Sequence, residues 1–154
     1  MMRKLAEKVS KLFSAPTTVE IDEDARDRAI RMATAVLMTE IARADDEYDE
    51  VEFDLLLKLI TNHFHMSAQE AIELADESSE TAEDCVSLHS FTQLLNKNLT
   101  EQEREHIVSL LWQIAYADGR LDKYEDSLVL KISDLLYVRR VRVMRLKHDA
   151  TPHD

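Results

Sequence analysis

Two short stretches of this sequence place carboxylates where they could act together. Asp45, Asp49 and Glu52 recur as Asp118, Asp122 and Glu125, each set reading Ala-Asp-x-x-x-Asp-x-x-Glu. Carboxylate oxygens are hard ligands, so three of them converging at one bend would suit calcium or magnesium. The spacing is not that of an EF-hand loop, which needs acids at its first, third and fifth positions and a bidentate glutamate at its twelfth. Here the acids fall first, fifth and eighth. A plainer explanation covers part of the pattern: Asp49 with Glu52, and Asp122 with Glu125, have the three-residue step of a helix N-terminal capping box, each cap contributing about 0.5–2 kcal/mol. Capping leaves Asp45 and Asp118 unexplained, because a negative charge at the end of the preceding helix opposes the helix dipole. Those two residues motivate the expectation of a divalent cation at each bend.

Other groupings offer less. Glu103 and His106 have the Glu-x-x-His step of di-iron helical bundles, but that motif must occur twice with two further glutamates, and it occurs once here. Glu103 is in any case explained as the partner of a cap. Cys85 and His89 lie one helical turn apart and could share a soft metal, although a lone pair at that spacing is far more often packing and a satisfied side chain. His63 and His65 point to different faces of a helix. No serine sits on a strand-turn-helix elbow, so hydrolase chemistry has no anchor. The chain is therefore expected not to be an enzyme.

The elements that must position these residues are helices. In 154 residues there are one glycine and two prolines, too few for the tight turns of an all-β chain. A hydrophobic share of 45% supplies a core for one domain. Leu5, Val9, Leu12 and Phe13 predict a short amphipathic helix over residues 1–13, and Ser14-Ala15-Pro16-Thr17-Thr18 a linker. That divides the chain into an N-terminal segment, residues 1–18, and a helical domain, residues 19–150. Ile30, Ala33, Leu37, Ile41 and Ala44 recur at steps of three and four, as do Phe53, Leu56, Leu57, Ile60 and Phe64, predicting an antiparallel pair around an acidic connection. Ser67 with Glu70 and Thr100 with Glu103 predict capped helix starts. The first of these helices should stop near Glu77 to Glu80, and another, built on Leu88, Phe91, Leu94 and Leu95, should end at Asn96-Lys97-Asn98, residues that tolerate a left-handed conformation. Ile107, Leu110, Leu111 and Ile114 mark a helix up to Ala117. Leu121, Leu128, Ile132, Leu135 and Leu136 mark the next, and Val138 to Leu146 a last one. The expected fold is an all-α bundle of about seven to eight helices.

Two hairpins of that bundle look duplicated. At an offset of 73 residues, Ile41, Ala42, Ala44, Asp45, Asp49, Glu52, Leu55, Leu57 and Lys58 fall on identical residues from Ile114 to Lys131. Two copies are too few for an open solenoid, so a closed pseudo-symmetric arrangement is expected.

Charge bounds the partners. Nineteen Lys and Arg against 31 Asp and Glu give a net charge of −12, which repels a phosphate backbone and excludes nucleic acid as an expected partner. From Leu59 to Asn96 there is no Lys or Arg, while Glu70, Glu73, Asp76, Glu77, Glu80, Glu83 and Asp84 accumulate. Arg139, Arg140, Arg142, Arg145 and Lys147 show the opposite bias and are expected to pair with that acidic surface, within one chain or between two copies in a homodimer. Residues 1–13 have the pattern of a weak peripheral membrane contact. A lone cysteine and the lack of a signal-like start point to the cytoplasm, and no apolar run of about eighteen residues is present to span a bilayer.

The segments Ile41–Glu52 and Ile114–Glu125, with Ala-Asp-Gly, a hydrophobe, then Asp and Glu in the second, resemble the two signatures of the TerB-like family of tellurite-resistance proteins. The resemblance covers roughly Ala25 to Lys147, and Asp46 stands where the motif has glycine. It implies an all-helical, cytoplasmic bacterial protein of two pseudo-repeated halves, with acidic turns implicated in metal-ion binding. It further implies a role in tellurite resistance or wider chemical stress, often near a membrane complex, and no enzymatic reaction. The resulting expectation is a non-enzymatic module that binds a protein partner, with calcium or magnesium at Asp45, Asp49, Glu52, Asp118, Asp122 and Glu125. The alternative is a dedicated metal-handling protein.

Overall fold

A computed structural model describes residues 23–43, 50–84, 88–117 and 123–151. They form seven helices and, among the described residues, no strand: α1 (Glu23–Ala42), α2 (Glu50–Phe64), α3 (Ala68–Asp84), α4 (His89–Asn98), α5 (Glu101–Ala115), α6 (Lys123–Leu135) and α7 (Arg140–Ala150). The protein is an all-α bundle, as its composition requires. The helix expected over residues 1–13 and its linker lie outside the described residues.

The bundle is organised around α1. Met32 to Thr39 is an eight-residue run without a charge, and every side chain in it is buried. A helix apolar all round belongs in an interior, and α1 packs against α2, α3, α4, α5 and α6. Thr34 and Thr39 are tolerated there because their hydroxyls donate to the carbonyls of Ile30 and Ala35, each at 2.8 Å. Helix α5 lies beside α1 and also contacts α2, α6 and α7, bringing Leu111, Trp112 and Ile114 into the core.

Both predicted capping boxes form. Ser67 Oγ accepts from the Glu70 N–H and the Glu70 carboxylate accepts from the Ser67 N–H, both at 3.2 Å. Thr100 and Glu103 do the same at 3.2 and 2.9 Å. The predicted break at Glu77 to Glu80 is absent, and α3 runs on to Asp84. Its inward face continues through Ser78 and Thr81, both fully buried, and Thr81 returns its proton to the Glu77 carbonyl at 2.8 Å. Helix α4 ends at Asn98, as expected, and the chain leaves it through an extended rather than a left-handed Leu99. Side chains satisfy the backbone there instead, with Asn98 Nδ2 donating to the Leu94 carbonyl at 2.8 Å and Arg104 reaching the carbonyls of Asn96 and Leu99.

Left-handed residues occur one residue beyond α2 and two residues beyond α6. Phe64 closes α2 and His65 has φ 54°; Tyr137 follows α6 with φ 56°. The Val138 and Tyr137 N–H groups then donate back to the Ser133 and Asp134 carbonyls, both at 3.1 Å, and Met66 N–H donates to the Thr61 carbonyl at 3.3 Å. Such bonds satisfy the carbonyls left open at a helix end.

Among the described residues, the basic residues of α7 pair within the chain with acids of α5, α6 and α7 rather than with Glu70, Glu73, Asp76, Glu77 or Glu80. Arg142 Nε donates to Glu105 at 2.7 Å and Lys147 Nζ to Asp126 at 2.7 Å. Arg139, Arg140 and Arg145 meet Glu101, Asp134 and Asp149. Because α7 packs on α5 and α6, it takes its counter-charges from them and from itself.

Candidate functional site

Of the six acids expected to form cation sites, Glu52 and Glu125 are described; Asp45, Asp49, Asp118 and Asp122 lie outside the described residues. Each glutamate is the third residue of its helix, α2 or α6. Both are buried, at 2% and 3% exposure, an uncommon state for this side chain. Helices α1 and α5 end at Ala42 and Ala115, and α2 and α6 begin at Glu50 and Lys123, so both pairs of boundaries repeat the 73-residue offset.

The described helix ends that flank the two bends come together. Glu40 and Arg43, just before the first, line a groove of about 400 Å³ with Tyr124, Ser127, Leu128 and Lys131 of α6, just after the second. Tyr124, Ser127, Leu128 and Lys131 follow the helical repeat and so share one face. Burial pushes the Glu40 carboxyl above the usual carboxylate range, against the opposing pull of the Arg43 guanidinium. Arg43 in turn donates to the Ser79 carbonyl of α3 at 3.4 Å. Sequence periodicity gave no sign of this groove, because its walls come from helices some eighty residues apart.

The remaining candidates separate. Glu103 is engaged by Thr100, whose backbone and side-chain hydrogen bonds hold its carboxyl below the usual range. His106, one turn on, stacks on His63 of α2, with centroids 4.8 Å apart and planes at 19°. His65 is exposed beyond the end of α2. Cys85 lies outside the described residues. Among the described residues no three His, Cys, Asp or Glu side chains gather to hold a metal ion, and no helix is long and apolar enough to cross a membrane.

This architecture, an all-α bundle in which the helix ends flanking two acidic connections come together, defines a class of small helical module. Residues 31–148 match the family model for tellurite resistance protein TerB. The chain belongs to the TerB family. Comparisons with curated proteins and with solved structures give no significant match.

Proposed function

We propose that this TerB-family chain is a non-enzymatic, partner-binding module of a bacterial stress response related to tellurite resistance, with divalent cations stabilising its two acidic bends. The observation that carries the cation reading is the matched burial of Glu52 and Glu125 at the third position of α2 and α6. Each of these glutamates already has an interaction within the chain, and a hard cation held with Asp45 and Asp49, or with Asp118 and Asp122, would add a further counter-charge to a carboxylate removed from water. The common 73-residue offset of the helix ends supports a duplicated hairpin behind both copies. Partner binding draws support from α7 and the turn before it, where Tyr137 and Val141 are 73% and 78% exposed and Met144 is also exposed. Apolar side chains grouped at a surface are a common mark of a protein contact.

Titration calorimetry and thermal unfolding with calcium and magnesium test the cation reading. Saturating ion should raise Tm in the native chain, and Asp118→Asn with Asp122→Asn should remove the part due to the second bend. Ion-independent Tm in the native chain, together with destabilisation by Asp122→Ala whether or not ion is present, would leave capping as the whole role of these acids.

A further inference from the structure

We propose that the His63–His106 stack is a pH-sensitive clasp that holds the last turn of α2 against α5 at neutral pH and releases it in mild acid. The two rings belong to different helices and meet face to face at 4.8 Å. Neutral imidazoles stack favourably, whereas two imidazolium ions at that separation repel. The arrangement does not suit a shared metal ion. Imidazole lone pairs lie in the ring plane, and near-parallel stacked planes send them side by side rather than to one point.

The surroundings favour the neutral form of His63. On α2 itself, Phe64 sits edge-on to His63 at 4.6 Å, and His65 follows one residue later. From α1, Arg31 lies 6.0 Å from the Phe64 ring, and the charge of Arg26 reaches Glu103. From α3, Glu70 balances Arg31. From α5 come His106 and Glu103, and Glu103, the acid acting on His63, is already committed to Thr100. Burial first, then the neighbouring His106 and His65, hold His63 below the ordinary imidazole value, with Glu103 opposing. A base depressed in the folded state contributes stability that is complete above its ordinary value of 6.5 and is lost as pH falls below it.

The clasp is separate from the acidic bends. Helix α2 begins at the first bend and runs for 15 residues, so its last turn stands about 20 Å from that end. Release would therefore loosen the far end of the bundle and leave the acidic bends in place.

Thermal unfolding of the full chain in EDTA, at about pH 7.5 and about pH 5.5, tests the clasp alongside His63→Phe and His106→Gln. The native chain should lose Tm in acid, each variant should cut that loss by at least about half, and amide exchange over residues 60–66 should quicken only in the native chain. An equal acid loss in native and variant chains, or an NMR titration placing His63 at or above the ordinary imidazole value, would overturn the proposal. If His63→Phe does not fold, His106→Gln, at an exposed position, decides the matter.

Discussion

Lys147 stands 5.3 Å over the ring of Trp112 while its ammonium donates to Asp126 at 2.7 Å. One side chain of α7 thus reaches the core of α5 and the first turn of α6. With side chains only 24% and 29% exposed, this pair escapes most of the screening that weakens surface ion pairs. Lys147→Met, which keeps the length of the stem and removes the charge, is expected to cost about 1–2 kcal/mol. Urea unfolding at low and high salt checks it, and a loss that disappears in moderate salt would count against it.

Tyr137 takes φ 56° without being glycine. For an ordinary residue that conformation costs about 1 kcal/mol, and with Tyr137 73% exposed little packing is at stake. Tyr137→Gly should therefore raise stability by about 0.5–1 kcal/mol, whereas Tyr137→Ala, which keeps a Cβ, should not. Failure of the two variants to differ in urea midpoint would mean that the turn is not strained.

The Thr100 cap predicts a specific acid limb. Glu103 is held below the usual carboxylate range by its bonds to Thr100, so its share of stability is present above about pH 4.5 and fades as pH falls through its lower folded value. Thr100→Ala should cost about 1 kcal/mol at neutral pH. The difference from the native chain should narrow below pH 4, measured by chemical unfolding across the acid range.

Leu37 is fully buried at the middle of α1, whereas Leu57 of α2 packs only partly against the core. Leu37→Ala should cost about 3 kcal/mol or more, and Leu57→Ala less than half of that. Equal costs in equilibrium unfolding would contradict the central place of α1.

What could be read in advance was local. Ser67 with Glu70 and Thr100 with Glu103 are short-range devices, complete within four residues, and both form as their spacing implies. The length of α3 was hidden because its inward positions beyond Ala75 are Ser78 and Thr81, small polar residues that satisfy themselves locally and leave no apolar stripe. The stop expected at Asn96 to Asn98 is where α4 ends, although asparagine amides serve the backbone there by side-chain bonds rather than by a left-handed turn. His65 and Tyr137 gave no glycine to mark their turns. The stack of His63 on His106 and the groove between α1 and α6 depend on tertiary placement, which no spacing within one helix encodes. At the acidic bends, the repeated pattern named Glu52 and Glu125, but only the packed structure reveals that both are withdrawn from water.

The enclosure of residues 32–39 on every side has a consequence for how the chain can be divided. Whatever their ancestry, the two hairpins share α1 as a common wall, so neither half carries a complete interior of its own. A protease cut or an engineered split between α3 and α4 would leave one fragment with an uncovered spine and the other with a vacant slot. The pieces should recover a native fold only when mixed, as a complementing pair.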